Sequence, residues 1–176
     1  MPAKQFPSYR IFSVLFIIII FSSCSSKSKG YSDLDKLYSD FVVCLKSTPE
    51  RLKKYCEDIS PDKGTVAYMK KHKFSYRGIP EELEKRKLSV SFISDEYYKR
   101  VANFKEDLIA SRKLDDLTYI GREEPGEELF DKELGIYATE TFILLKSKND
   151  TIECKLGEMF KIDGKWKSFT EPKLGW

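Results

Sequence analysis

The hydrophobic period of this chain changes once, and that change decides its fold class. Up to about residue 113, large apolar residues recur every three or four positions, the spacing of helices that each bury one face. From residue 136 onward, β-branched and aromatic residues dominate or alternate with polar ones, as in strands. Helices first and antiparallel strands last make an α+β domain.

The helical part reads in detail. Leu34, Leu37, Tyr38, Phe41, Val42 and Leu45 give residues 33–46 one apolar face, and Ser32 with Asp35 has the form of a capping box with Asp in place of Glu. Thr48-Pro49-Glu50 starts a second helix, with a capping hydroxyl, proline at the first helical position and an acid near the positive end. Its buried face is Leu52, Tyr55, Cys56 and Ile59. Ser60-Pro61-Asp62 repeats the signal for a third, weaker helix carrying Val66 and Met69, against which Gly64 counts by about 1 kcal/mol relative to alanine. Residues 74–87 read as irregular, with a break at Gly78-Ile79-Pro80 and a solvated charged run over 81–87. Leu88, Val90 and Phe92 alternate with serines and predict a strand. Ser94 is placed to cap a helix from 95 to about 113, with Tyr97, Val101, Phe104 and Leu108 as its stripe.

Residues 117–120 predict a short strand, and the acidic stretch 122–133 around Pro125-Gly126 an exposed loop. Strands are predicted within 136–146 and 151–161, joined by the turn Lys148-Asn149-Asp150. Asp163-Gly164 is a two-residue hairpin signal before 165–169. A hairpin closed there sets Lys161 opposite Trp166 and Phe160 opposite Lys167, so neither face is cleanly apolar; a bulge at Gly157 would repair this.

This element order, with the ending Met159-Phe160-Lys161-Ile162-Asp163-Gly164-Lys165-Trp166, resembles the NTF2-like (cystatin-like) superfamily over residues 31–170. The resemblance implies N-terminal helices packed in the concavity of a bent C-terminal antiparallel sheet, together forming a cone. In such a cone Tyr119, Tyr137, Phe142 and Trp166 are the candidates to line a ligand pocket, although aromatics on strands are core residues more often than ligand contacts. It supplies no function, because that fold hosts enzymes, binding modules and inert partners alike.

Ahead of the domain stands a different kind of segment. Residues 11–21 are an apolar run preceded by Lys4 and Arg10 with no acid. The run is shorter than the roughly 20 residues that a membrane span needs, and has the length and positive flank of a signal-peptide core. Ser22-Ser23-Cys24 comes next, resembling the bacterial lipobox, in which small residues precede a cysteine; Phe21 departs from the aliphatic residue usual there. The resemblance implies a signal peptide over 1–23, cleavage before Cys24, a thioether-linked diacylglycerol on Cys24 and a further acyl chain, a palmitate-type modification, on the new amine. Two or more chains suffice for stable anchoring at ~0.8 kcal/mol per buried CH₂. Ser25 stands where aspartate would resemble an inner-membrane retention signal, which points to the outer membrane, with the domain facing the periplasm. Residues 24–30 read as the lipidated cysteine and a flexible tether with an r.m.s. reach on the order of 13 Å, leaving 31–176 as a single domain.

The formal net charge of +3 includes Lys4 and Arg10, so the chain from Cys24 onward carries about +1, which argues against a nucleic-acid partner. His72, the only histidine, lies among Lys70, Lys71 and Lys73 and reads as exposed in a basic patch; with Arg77 these lysines could bind an anion. The acids from Glu123 to Glu133 lack the alternating ligands and central glycine of an EF-hand, and no other metal or cofactor signature occurs. G-x-S-x-G, P-loop and H-E-x-x-H motifs are missing, so an enzyme ranks below a small-ligand or protein-binding module, with an accessory or immunity role as a third class. Export permits disulfides: Cys44 and Cys56, on facing helices, could bridge or remain buried thiols, with Cys154 left over. Asp150-Thr151-Ile152 resembles the Asp-Ser/Thr-aliphatic site that some bacteria O-glycosylate at Thr, against the plainer reading of Thr151 as a turn residue.

Overall fold

The computed structural model describes residues 29–73, 79–123, 129–131 and 135–174. It is α+β, with helices in the N-terminal half and antiparallel strands in the C-terminal half.

Helix α1 (Leu34–Leu45) buries the expected stripe, but its cap is Asp33 rather than Ser32. The Asp33 carboxylate accepts from the Lys36 N–H at 2.7 Å, one residue nearer the helix than a capping box at Ser32 requires. Helix α2 (Pro49–Ile59) starts where Thr48 and Pro49 put it and buries Leu52, Tyr55, Cys56 and Ile59. Helix α3 (Lys63–Lys71) begins after Asp62, whose carboxylate outcompetes Ser60 by accepting from both the Thr65 N–H (2.7 Å) and its hydroxyl (2.9 Å).

Two expectations fail between 79 and 94. The segment taken as irregular holds a short helix, α4 (Ile79–Lys85), with acids in its first turn and Lys85 in its last. The strand expected over Leu88, Val90 and Phe92 is instead the lead into helix α5 (Ser91–Ala110). Three alternating apolar residues are too few to hold a strand without a partner, and here Phe92 is left 46% exposed. Ser94 lies inside that helix, with its hydroxyl donating to the Ser91 carbonyl at 2.9 Å, so it is not the cap. Tyr97, Val101, Phe104 and Leu108 are buried as expected.

The strands are β1 (Thr118–Arg122), β2 (Leu129–Asp131), β3 (Ile136–Thr139), β4 (Ile143–Ser147), β5 (Asp150–Lys155), β6 (Met159–Ile162), β7 (Lys165–Ser168) and β8 (Lys173–Leu174). Strand β2 lies inside the stretch expected to be loop, and 136–146 is two strands rather than one. They form two four-stranded sheets, in orders β1-β4-β5-β8 and β2-β3-β6-β7. The chain alternates between them: β3 runs into β4, β5 into β6 and β7 into β8, each across a short break. The result is one meander folded at a waist. Between Thr139↔Met159 and Ile143↔Cys154 the β5–β6 arm carries one residue more than the β3–β4 arm. Gly157 sits in that stretch with φ +101°, and an added Cβ would run into Ser168 Oγ and the Thr170 carbonyl. It therefore serves the waist and not the terminal hairpin. The Asp163-Gly164 hairpin closes as expected, pairing Lys161 with Trp166 and Phe160 with Lys167.

Its mixed faces need no repair, because both are covered. Trp166 and Met159 join the main core with Leu37, Phe41, Tyr55, Val101 and Ile152. Phe160 and Ile162 join a smaller core with Met69, Ile136 and Phe169, against which Tyr68 and Ile79 pack. Each fully buried Leu, Ile, Val or Phe contributes about 1.5–3 kcal/mol.

Candidate functional site

Asp62 organises the site. One carboxylate oxygen caps α3; the other accepts from Lys167 Nζ at 3.1 Å and from the Lys29 N–H at 3.0 Å. Lys167 is wholly buried and also donates to the Asp58 carbonyl at 2.8 Å. Burial pushes the Asp62 carboxyl up, but the Thr65 N–H, the Lys167 charge and the Lys29 N–H outweigh it and hold Asp62 below the usual carboxylate range. Burial holds Lys167 below the usual lysine range, opposed by the Asp62 charge. The pair is thus a fixed, hydrogen-bonded dipole inside the protein.

Above it opens a cleft of about 550 Å³. Glu57, Asp58 and Asp62, Lys29 and Lys63, Ser89, Ser91 and Ser94, and Pro61, Gly64 and Val90 line it. Ser89 Oγ and Ser91 Oγ share a hydrogen bond of 2.6 Å. Charges of both signs beside hydroxyls suit a polar or zwitterionic ligand.

A second pocket, about 500 Å³, lies at the waist between Glu140, Lys155, Glu158, Phe169, Thr170, Glu171 and Lys173. Lys155 is 7% exposed, pairs with Glu140, and lies 5.8 Å from the Phe142 ring centre. Burial, then the Lys173 charge, holds its amine below the usual lysine range. Neither Lys155 nor Lys167 is marked in sequence by a motif. The one signal is the pairing of Lys167 with Phe160 in a hairpin otherwise rich in apolar residues.

The aromatics expected to line a common pocket are dispersed. Trp166 is fully buried in the main core, while Tyr137 is 45% exposed; Lys161 Nζ lies 5.2 Å from the first ring and 5.9 Å from the second. Tyr119 is half-buried, with its hydroxyl 3.4 Å from Asp35 Oδ1 and its ring against Tyr38. Phe142 is at the waist beside Lys155. Side chains of α1, α2 and α5 pack with strand residues in the main core.

Cys44, Cys56 and Cys154 are buried and no disulfide joins them in this structure, which corresponds to the second of the two alternatives, buried thiols, for Cys44 and Cys56. Burial, then the neighbouring Cys44, pushes the Cys56 thiol up to about 12. Thr151 is exposed and sits within β5, paired with Lys146, just past the Lys148-Asn149 turn. His72 is exposed at the end of α3 and stacks on Tyr68, with ring centres 4.2 Å apart. Arg77 and most of the acids between 123 and 133 lie outside the described residues or have undescribed side chains. Among the described residues no cluster of three or more His, Cys, Asp or Glu side chains is placed to hold a metal ion, and no helix is long and apolar enough to cross a membrane. Residues 1–23, expected to be a signal peptide, and Cys24 lie outside the described residues.

No family model, curated protein or solved structure matches this chain.

Proposed function

We propose that this protein is an envelope lipoprotein, anchored through acyl chains on Cys24 to the outer membrane and facing the periplasm, whose domain binds a small polar ligand or a protein partner without catalysing a reaction. The carrying observation is Ser22-Ser23-Cys24 at the end of a short, positively flanked apolar run. A binding role fits the mixed-charge cleft beside Lys29. The order of helices followed by a folded meander supports the NTF2-like reading of the domain. The exposed Thr151 hydroxyl fits it as an O-glycosylation acceptor, for which the mass of wild type and Thr151→Ala from the native host is the measure.

The test is metabolic labelling with a fatty acid in the native host, with intact mass of the mature N-terminus. Label on wild type, and its loss with release from the membrane fraction in Cys24→Ser, is expected. Unmodified Cys24 in wild type overturns the reading.

A second reading is favoured by Lys155: a buried amine with a lowered pKa, opening on a pocket with carboxylates, has the make-up of a nucleophilic lysine. Borohydride trapping of an adduct with small aldehydes and keto acids, lost in Lys155→Met, would establish it.

A further inference from the structure

Lys29 and Gly30, within the stretch read as tether, are in contact with the folded body. The Lys29 N–H is held by Asp62. Gly30, at φ +120°, presses so closely on the Asp58 carbonyl that a Cβ would lie 2.6 Å from it. Tyr31 bridges to Trp166, whose N–H donates to the Tyr31 carbonyl at 2.7 Å. From Cys24 to this fixed point the chain can span at most about 17 Å, whatever its conformation.

That length is short against the domain, whose diameter for its size is on the order of 35–40 Å. We propose that the face carrying Lys29 and the first turn of α5 seats on the bilayer surface, with Phe92 dipping into the headgroup region. The inference rests on the lipid anchor proposed for Cys24. Lys29 shares its cleft with Ser91 and Ser94, so the start of α5 lies on the anchored side. Phe92 extends from that same turn, 46% exposed, an aromatic of the kind that sits at membrane interfaces. Lys29 and Lys63 line the cleft next to that turn, together with Glu57, Asp58 and Asp62, and supply cations for lipid phosphates. Ile109 provides an internal contrast. It is 47% exposed on the same helix, roughly 25 Å further along the axis. Equal exposure at the two ends therefore meets different surroundings: lipid at one, water at the other.

The test uses full-length, acylated protein reconstituted into vesicles whose phospholipids carry bromine near the top of the acyl chains. Phe92→Trp and Ile109→Trp are each compared with wild type, which subtracts the native tryptophans. The added emission of Phe92→Trp should be blue-shifted and quenched at least threefold more than that of Ile109→Trp. Comparable quenching at both sites, in protein that floats with the vesicles and carries acyl chains by mass, overturns the orientation while leaving the anchor intact. A blue shift at residue 92 without bromine quenching also overturns it, and assigns that turn to a protein partner or a second copy. Unmodified Cys24 with no flotation removes the anchor, and this inference falls with it.

Discussion

Lys167 Nζ meets Asp62 Oδ2 at 3.1 Å, tying a strand to the cap of a helix that lies 105 positions earlier in the chain. Because the lysine is wholly buried, removing its partner leaves a charge with only the Asp58 carbonyl to solvate it. Asp62→Ala also removes the α3 cap, and should cost about 3–5 kcal/mol. Lys167→Met should cost clearly less, since the Asp62 carboxylate keeps the Thr65 and Lys29 N–H donors. Urea unfolding of the two variants checks the order; equal losses would show that the pair contributes only as packing.

The same pair sets an acid sensitivity. The folded Asp62 carboxyl titrates below its usual range, so its stabilisation is fully present above the unfolded value of about 3.9 and is lost as pH falls through the lower, folded value. The stability gap between wild type and Asp62→Asn should be constant from pH 7 to about 5 and shrink below about 4. A gap that does not change with acid would show that Asp62 acts here only as a hydrogen-bond acceptor.

Two glycines test the waist against the hairpin. Gly164 has φ +73° and open space around its missing Cβ, so Gly164→Ala should cost only the backbone penalty, about 1 kcal/mol. Gly157 adds a collision with a backbone carbonyl to its φ of +101°, and Gly157→Ala should cost on the order of 3 kcal/mol. Thermal melts of both variants give the comparison; similar shifts would place the strain of the fold outside the waist.

Cys44, Cys56 and Cys154 should resist alkylation in the native protein and react together once it is denatured without reductant. Burial hides all three, and it disfavours the thiolate at Cys44 and Cys56. Non-reducing peptide mapping reads the outcome. A Cys44–Cys56 linked peptide would instead show that α1 and α2 close onto a bridge in the protein from its native host.

Where local chemistry decided the structure, the sequence was readable. Thr48 and Pro49 set the start of α2, the three- and four-residue steps of Tyr97, Val101, Phe104 and Leu108 set the buried side of α5, and Asp163-Gly164 set a register that held to the residue. Where partners distant in the chain decided, it was not. Leu88, Val90 and Phe92 have strand spacing but no neighbouring strand, so the helix after them extends backward. The break at 140–142 has no turn residues; it comes from the fold of the whole sheet, in which each arm must bend at the same level. The site was least visible of all. Asp62 reads only as part of a helix-start signal and Lys167 only as the residue opposite Phe160 until α3 is laid against the terminal hairpin.

The attachment of residues 29–31 to the body has a mechanical consequence. Tension applied through the N-terminal end arrives at the Lys29–Asp62 hydrogen bond and the lone Tyr31–Trp166 bridge before it reaches any helix. Tyr31 is also seated by its ring against Tyr55, and α1 behind it is held by its whole buried stripe. Releasing residues 29–33 would free about 17 Å of extra chain while the core stayed shut. Were the chain anchored through Cys24 as proposed, that release would let the domain stand further from its anchor before its core is loaded.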